Sequence, residues 1–241
     1  GIKEFSKNTR GTIKVGMLSS VARNVLPLTM KDFAKVLPNI EINVLEVAPA
    51  EAIDLLYARQ LSVAVVAEDS LAASNLSFFK KEIFSDPYVL AVPKNIKLEN
   101  IKNINELNVE SKKIISSSII FEFGTQHKKR IEDWFKKHLQ TTKVIAHTRS
   151  YEVALSMVEA ELGVVVLPAL TAVVGSDRSY NVNLYKTNLL ERRLVSLAPK
   201  QFQNVDPCKS FVNSLRNAGK KLKLPEIKES PKFLNDISEN K

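Results

Sequence analysis

The stretch GTIKVGMLSSVARNVLPLTMKDFAKVLPNIEINVLEVAPAEAIDLLYARQLSVAVVAE, from Gly11 to Glu68, carries the clearest secondary-structure pattern of this chain. Short apolar runs alternate in it with segments whose apolar residues recur every three or four positions, so it reads strand, helix, strand, helix, strand. The strands are predicted at Ile13–Val15, Ile40–Val44 and Ser62–Val66. Consecutive strand–helix units that feed parallel strands predict a doubly wound α/β half-domain.

Two later stretches continue this pattern. SDPYVLAVP, residues 85–93, contains a near-continuous apolar strand. SYEVALSMVEAELGVVVLP, residues 150–168, reads as a helix that ends near Gly163 and a strand that enters Pro168. Between them, a brief strand is predicted at Lys113–Ser116, followed by a helix from Thr125 to about Leu139.

In this order and spacing, the three stretches resemble the effector-binding domain of LysR-type transcriptional regulators, over roughly residues 11–222. The resemblance implies the two-lobed fold of the type 2 periplasmic solute-binding proteins, with two crossover strands that form a hinge. It also implies these boundaries: a linker remnant at 1–10, lobe I at 11–91 and 195–222, lobe II at 92–194, and a polar tail at 223–241. The chain departs from the family pattern at Arg59 and Ser62, where Gly and Asp are usual, and at Glu161, where Gly is common.

The composition excludes several classes of protein. At 44% hydrophobic residues, the chain can bury one or two ordinary cores. The single cysteine, Cys208, excludes a disulfide framework, and the three histidines lack the spacing of a metal site, so we expect no metal and no cofactor. No apolar run approaches the roughly 20 residues that span a bilayer, and no signal peptide opens the chain. We therefore expect a cytoplasmic location and no membrane partner.

The net charge of +9 comes from dispersed lysines. Direct reading of DNA bases requires a positioned helix or an aromatic platform, and none is evident. A solvated basic surface is one interpretation of this charge. Attraction of small anions, or of DNA phosphates nearby, is the other.

Ligands of open α/β sheets bind at the carboxyl ends of strands, and two lobes would turn those ends into one cleft. The residues that follow the predicted strands are therefore the candidate ligand-binding residues: Leu18, Ser19, Ser20, Ala67, Ser117, Phe123, Thr125, Thr148, Arg149 and Ser150. The hydroxyls beside helix N-termini favour an anion, although plain helix capping is the alternative for each serine. Arg149 can bind a carboxylate through two hydrogen bonds, and the alternative for this residue is a surface ion pair. Arg130 is expected to lie away from the strand ends.

No catalytic constellation and no phosphate-binding glycine loop occur, which argues against an enzyme. The leading hypothesis is a small-molecule sensor of a LysR-type regulator. The resemblance implies promoter DNA as a partner through an N-terminal winged helix-turn-helix missing from this chain, and a homodimer that becomes a tetramer in the full-length protein. In that dimer, the Asn24–Leu37 helix would lie against the second lobe of the partner. The alternative is a stand-alone periplasmic solute-binding protein of a transporter, and an enzyme on the same fold is a third, more distant hypothesis.

Overall fold

A computed structural model describes residues 10–71, 77–122, 125–139, 143–175 and 178–235 of the chain. These residues form two compact α/β units. Unit 1 takes the described residues up to Asp86 and from Glu191 to Lys223, and unit 2 takes those from Pro87 to Leu190 and from Leu224 onward.

Unit 1 is built on a five-stranded sheet in the order β2-β1-β3-β10-β4. β1 is parallel to β2 and β3, whereas β10 is antiparallel to β3 and β4. The strands of this sheet are β1 (Gly11–Met17), β2 (Ile40–Glu46), β3 (Val63–Ala67), β4 (Phe78–Asp86) and β10 (Arg192–Pro199). The helices are α1 (Ser19–Asn24), α2 (Leu26–Val36), α3 (Pro49–Tyr57) and α7 (Cys208–Lys221). The alternation that was predicted for Gly11–Glu68 is therefore present.

The predicted helix from Asn24 to Leu37 is interrupted at its start. The chain forms α1 and then α2, and Val25 is the boundary between them. Pro27, in the first turn of α2, has no amide hydrogen to donate into a preceding turn, which explains why α1 does not continue into α2.

Unit 2 contains a three-stranded sheet in the order β8-β5-β9 and a parallel pair, β6-β7. A bridge between Ser118 and Val164 joins β6 to the residue before β8. The strands are β5 (Tyr88–Pro93), β6 (Ser117–Phe121), β7 (Lys143–Thr148), β8 (Val165–Pro168) and β9 (Val182–Lys186). The helices are α4 (Val109–Ile115), α5 (Thr125–His138), α6 (Tyr151–Glu159) and α8 (Lys232–Asn235).

The strand predicted at Lys113–Ser116 is instead the last turn of α4 and its C-cap. The side chain of Asn108 begins this helix by accepting a hydrogen bond from the Ser111 amide at 2.7 Å. The apolar pair at Ile114 and Ile115 is too short to show either a helical or a strand period.

The boundaries of the units also differ from those implied by the resemblance. β5 pairs with β8 and β9 along its whole length, so residues 87–91 belong to unit 2. Glu191 and the first three residues of β10, Arg192 to Leu194, belong to unit 1. The predicted polar tail is ordered from Lys223 to Asn235, and Leu234 is only 3% exposed. The linker predicted before Gly11 lies outside the described residues apart from Arg10.

Two of the departures from the family pattern fall on left-handed backbone. Arg59 has a φ of 56° and Glu161 a φ of 60°, a conformation that favours glycine. Each residue follows the end of a helix, α3 or α6, where a left-handed residue is the usual way to end the helix. The chain therefore carries side chains at two turns that glycine would form with less strain.

Candidate functional site

A histidine in unit 2 joins two tyrosines. Nδ1 of His127, in the first turn of α5, lies 3.3 Å from the Tyr88 hydroxyl, and its Nε2 lies 3.3 Å from the Tyr151 hydroxyl. Phe121 stacks on Tyr151 with ring centroids 3.8 Å apart and meets the His127 ring edge-on at 5.9 Å. A neutral imidazole donates from one nitrogen and accepts at the other, so these contacts fix the plane of the ring.

Strand and helix ends bring these side chains together. Phe121 is the last residue of β6, Tyr88 is the first residue of β5, and Tyr151 is the first residue of α6. In parallel α/β structure, the carboxyl end of a strand and the amino end of the following helix lie at the same edge. The cluster therefore lies at the edge of unit 2 where ligands of such folds bind.

A positive charge adjoins this cluster. Nη2 of Arg130 donates to the Tyr88 hydroxyl at 3.0 Å, and the guanidinium carbon lies 4.9 Å from the centroid of the Tyr88 ring. The same nitrogen is 3.4 Å from Nδ1 of His127. The prediction that Arg130 lies away from the strand ends was therefore wrong, because Arg130 is three residues beyond His127 and shares its face of α5.

The loop after β7 supplies a second group of polar side chains. Thr148 ends β7, and its Oγ1 accepts a hydrogen bond from the Ser150 amide at 3.1 Å. Ser150 caps α6 by accepting from the Val153 amide at 3.2 Å, and its hydroxyl donates to Glu152 at 2.8 Å. The Ser150 hydroxyl is thus used in capping. Arg149, between them, is exposed.

Arg149 contributes to the electrostatics of a carboxylate nearby. The Lys128 ammonium, 2.6 Å from the Glu122 carboxylate, is the main reason why the pKa of Glu122 lies below its usual range. His147 and Arg149 add smaller attractions. Glu122 is itself the residue that follows β6, so a carboxylate and several cations share this edge of unit 2.

In unit 1, the corresponding polar groups are buried. Arg192, the first residue of β10, donates to the Asp86 carboxylate at 2.6 Å and to the Ser20 hydroxyl at 3.3 Å. The side chains of Arg192 and Asp86 are 7% and 0% exposed. Ser20 thus faces this ion pair, whereas Ser19 is exposed.

The other predicted site residues have diverse positions. Leu18 is half-buried at the N-cap of α1, and Ala67 is buried at the end of β3. Ser117 begins β6 rather than following a strand, so it lies at the opposite end from the candidate site, and its hydroxyl donates to the Lys113 carbonyl at 2.8 Å. Phe123 and the side chain of Thr125 lie outside the described residues, although α5 begins at Thr125.

Five residues of this cluster were not among the predicted ligand-binding residues: Tyr88, Phe121, His127, Arg130 and Tyr151. One signal was available, because Phe121 and Tyr151 flank the two loops that were predicted as ligand-binding. The ring of His127 contacts two tyrosines and a phenylalanine, which the lack of a metal-site spacing among the histidines did not predict.

Neither a metal centre nor a reactive thiol is found in the described part of the chain. There, no three His, Cys, Asp or Glu side chains are grouped so that they could hold a metal ion. Cys208 is buried, and this burial, together with Asp206, raises its pKa to about 11, which disfavours the reactive thiolate. No helix within the described ranges is long and apolar enough to cross a membrane.

Each of the two α/β units is made of two separate segments of the chain, and polar and aromatic residues lie at strand ends. These features are typical of two-lobed domains that bind small molecules. Solved structures of this fold include the effector binding domain of QuiR in complex with shikimate, with a TM-score of 0.63 and 17% identity, covering 88% of this chain and 99% of that one. The regulatory domain of Synechocystis PCC6803 CcmR in complex with 2-PG has a TM-score of 0.67 and 16% identity, covering 88% and 98%. The cofactor-binding domain of the Cbl transcriptional regulator has a TM-score of 0.68 and 17% identity, covering 88% and 90%.

The sequence comparisons give the family. Residues 6–219 match the family described as LysR substrate binding domain. The chain is also 24% identical over 181 residues to the HTH-type transcriptional activator IlvY of Haemophilus influenzae, covering 75% of this chain and 59% of that protein. This chain therefore belongs to the LysR substrate-binding domain family, the effector-binding part of transcriptional regulators, and it spans less than two thirds of that relative. The predicted family and two-lobed fold are confirmed, and none of these matches supports the transporter alternative.

Proposed function

We propose that this domain senses a small anionic effector, most simply a carboxylate, at the carboxyl-end edge of unit 2. The observation that carries the proposal is His127, held between two tyrosine hydroxyls next to Arg130, on the edge where Arg149 is exposed. The aromatic rings offer an apolar surface, and the cations favour a negative charge. A cleft between the two lobes stays a prediction from the family resemblance.

The expected affinity is that of a metabolite sensor. A hydrogen bond to a charged group contributes roughly 1.5–3 kcal/mol before the costs of ordering the ligand and the side chains. Two or three such bonds correspond to dissociation constants of about millimolar to micromolar. Shikimate and 2-PG, which are bound by QuiR and CcmR, are small molecules and supply starting compounds for a screen.

A thermal-shift screen of small carboxylates and uncharged analogues, followed by calorimetry, tests the ligand class. Arg149→Met keeps much of the side-chain bulk and removes the charge, so we expect it to weaken binding at least tenfold with the fold intact. Lys129→Met is the matched control, because Lys129 is exposed on α5 and is not among the residues that line the cluster. Unchanged binding by Arg149→Met would exclude that residue from the site, and an effector without charge would contradict the proposed ligand class.

Arg130 and His127 are tested in the same assay. Arg130→Met removes the cation above Tyr88, and His127→Phe removes both contacts to the tyrosine hydroxyls while keeping a ring. We expect both variants to lose affinity for the effector that the screen identifies. Wild-type affinity in both would restrict the site to the loop around Arg149.

We further propose that effector binding controls promoter recognition by an N-terminal winged helix-turn-helix carried by the full-length protein. The relative that supports this is an HTH-type activator, of which this chain covers 59%. We expect the domain to act in this way without catalysis and in the cytoplasm. The test is a DNA-retardation titration of the full-length protein with and without the effector, in which a change in affinity or in DNA bending is expected.

Apolar residues on the surface of both units support the predicted homodimer. In unit 1, Val36, Val44 and Leu45 are 46%, 37% and 45% exposed at the end of α2 and on the edge strand β2. In unit 2, exposed apolar residues on β7, on α6 and after α6 are Val144, Ile145, Val153 and Leu162. A symmetric dimer covers such patches, and dimers can pair into the tetramer implied for the full-length protein.

Sedimentation at micromolar concentration tests this assembly. We expect a species of twice the chain mass of 27.0 kDa, which Leu45→Asp or Val153→Asp converts to monomer. Val109→Asp is the control, because Val109 is 87% exposed on α4 and belongs to neither group of residues. A monomer at all concentrations would contradict the homodimer.

A further inference from the structure

The segment from Leu224 to Asn235, here called the C-terminal strap, lies beyond the family match, which ends at residue 219. The strap follows α7, the last helix of unit 1, yet it belongs to unit 2. The chain therefore passes between the units a third time, after Lys223, in addition to the passages after Asp86 and after Leu190.

The strap extends the sheet of unit 2. Lys228 pairs in parallel with Tyr185 of β9. The Lys228 amide donates to the Leu184 carbonyl at 2.8 Å, and the Lys186 amide donates to the Lys228 carbonyl at 2.9 Å. Pro225 and Pro231 cannot donate to a strand ladder, which helps to confine the pairing to the residues between them.

The strap also closes the hydrophobic core on both faces of this sheet. Leu224 and Ile227 pack against the cluster that contains Val182 and Leu184. Phe233 and Leu234 join the other cluster of unit 2, in which Leu234 is 3% exposed. Most other strap residues are exposed or half-buried, so release of the strap has to break mainly the contacts of these four apolar side chains and the polar contacts described next.

Polar contacts hold the strap at three points, and at one of them the Glu229 carboxylate lies 2.5 Å from the Lys186 ammonium of β9. The Lys228 ammonium pairs with the Glu99 carboxylate and lies 5.8 Å from the centroid of the Tyr185 ring, whose hydroxyl donates to Glu99 at 2.8 Å. At the far end, Nδ1 of His138 lies 3.0 Å from the Leu234 carbonyl, to which it can donate. Burial tends to raise the pKa of Glu99, but the hydrogen bonds from Lys228 and Tyr185 outweigh it and place this pKa at about 2.

Both ends of the chain's third passage lie near its first passage, which follows Asp86. In unit 1, a Cβ on Gly219 of α7 would lie 2.1 Å from the Ile83 carbonyl oxygen, so the last turns of α7 pack on β4 just before it ends at Asp86. In unit 2, Lys186, which bonds to the strap, also pairs with Val89 at the start of β5.

We propose that the C-terminal strap is a releasable latch on the hinge. Its docking along β9 adds a third connection between the units and restricts their relative movement, and its release from β9 removes that restriction. The inference concerns the hinge and not the ligand, so its test uses no effector and can fail independently of the proposed function.

Hydrogen exchange of the full chain tests whether the strap opens by itself. We expect the Lys186 and Lys228 amides to exchange faster than the amides of β5, because the strap opens without unfolding of unit 2. Leu234→Ala is expected to accelerate these two amides about tenfold or more relative to β5. Glu99→Gln, which keeps the shape of the side chain, is expected to accelerate them by a smaller factor. Lys232→Ala, at an exposed strap residue, is the neutral control.

Distance measurements test the effect on the hinge. Spin labels at Val205→Cys in unit 1 and Val109→Cys in unit 2 use exposed positions, while the native Cys208 is buried. We expect Leu234→Ala, and a chain that ends at Lys223, to broaden the distance distribution. Ile115→Ala is the control, because Ile115 belongs to the same core cluster as Leu234 but lies outside the strap. We expect this variant to leave the distance distribution unchanged.

Two results would overturn the latch. One is that the Lys186 and Lys228 amides exchange no faster than the amides of β5, in the wild type and in the Leu234→Ala and Glu99→Gln variants. The other is a distance distribution that Leu234→Ala leaves unchanged. If the shortened chain does not fold, the Leu234→Ala and Glu99→Gln variants of the full chain still decide between these outcomes.

Discussion

Unit 1 buries an ion pair where β4 ends and β10 begins, whereas unit 2 places polar groups around the half-buried rings of Phe121, His127 and Tyr151. Asp86 and Arg192 neutralise each other at 0% and 7% side-chain exposure. In unit 2, Arg149 is exposed and His127 is half-buried. A buried ion pair has no net charge to offer a ligand, while an exposed cation such as Arg149 at an accessible edge attracts anions. We therefore expect the buried ion pair of unit 1 to affect mainly stability, and the polar residues of unit 2 to affect mainly the proposed ligand binding.

The largest expected effect comes from breaking the buried pair. Asp86→Ala leaves the Arg192 guanidinium buried without its carboxylate, so we expect the free energy of unfolding of unit 1 to fall by about 3–5 kcal/mol. Urea unfolding followed by far-ultraviolet circular dichroism measures the change. Glu68→Gln, at a carboxylate that pairs with Lys80 and Arg193 at the surface, is the control and should change stability by about 0–1 kcal/mol. A loss below 1 kcal/mol for Asp86→Ala would contradict the assignment of this pair to stability.

A glycine in each unit allows a close backbone contact that can be disrupted in parallel. An added Cβ would lie 2.1 Å from the Ile83 carbonyl oxygen at Gly219, and 2.5 Å from the Ser117 carbonyl oxygen at Gly163. Because both contacts are to backbone, we expect each alanine variant to lose about 1–3 kcal/mol. Hydrogen exchange should localise the loss to unit 1 for Gly219→Ala and to unit 2 for Gly163→Ala. Asn217→Ala, on the exposed face of α7, is the control, and equal losses in both units would show that the units do not unfold separately.

The left-handed residues provide a smaller, stabilising effect in each unit. Arg59→Gly in unit 1 and Glu161→Gly in unit 2 relieve the steric cost of a positive φ, partly offset by the greater freedom of glycine in the unfolded chain. We expect each change to raise the free energy of unfolding by about 0.5–1 kcal/mol. Alanine at the same positions keeps the strain and is the matched control. A destabilised glycine variant would mean that contacts such as the one from Asn95 to Glu161 outweigh the strain.

The weakest effect is a pH dependence confined to unit 2, because all three histidines, His127, His138 and His147, lie in that unit. Burial lowers the pKa of His138 below its usual value of 6.5. The hydrogen bond to the Leu234 carbonyl raises this pKa, and the charge of Lys137 lowers it further. A lowered pKa means that the stabilisation is complete above pH 6.5 and is lost as the pH falls through the folded-state pKa.

We therefore expect the strap amides to exchange faster, relative to intrinsic rates, as the pH is lowered from 7 to 5. The pKa of Glu99, at about 2, keeps its ion pair out of this range. His138→Asn retains a donor and cannot titrate, so it should abolish the pH dependence. The same dependence in the His138→Asn variant would attribute the change to another group.

Much of the fold could be predicted because its strands and helices carry clear periods. The alternation over Gly11–Glu68, the apolar run of β5 and the α6–Gly163–β8 segment are all local signals. The Ile114–Ile115 pair is too short to show the periodicity of a helix or of a strand. The strap has few apolar residues, and their spacing matches neither the helical nor the strand pattern. The boundaries of the units depend on which strands β5 and β10 pair with, which is not a local property.

The site could be predicted only where it follows strand ends in sequence. Thr148, Arg149 and Ser150 follow β7 as expected, and Ser20 follows β1, yet its hydroxyl faces Arg192, which is 172 residues away. The tyrosine–histidine cluster joins residues from three separate segments, so no sequence spacing encodes it. The hydrogen bonds of His127 with the two tyrosines form only when the tertiary structure brings these segments together.

The core of unit 2 holds the only tryptophan of the chain, Trp134, whose indole donates to Asn188 at 2.9 Å and lies beside His138. Four of the five tyrosines, Tyr88, Tyr151, Tyr180 and Tyr185, are also in unit 2. Intrinsic fluorescence is therefore an optical record of one half of the domain. We expect a melting curve read from tryptophan emission to report the destabilisation caused by Leu234→Ala in unit 2. For units that unfold separately, the same curve will miss the destabilisation caused by Asp86→Ala, because unit 1 contains Tyr57 and no tryptophan.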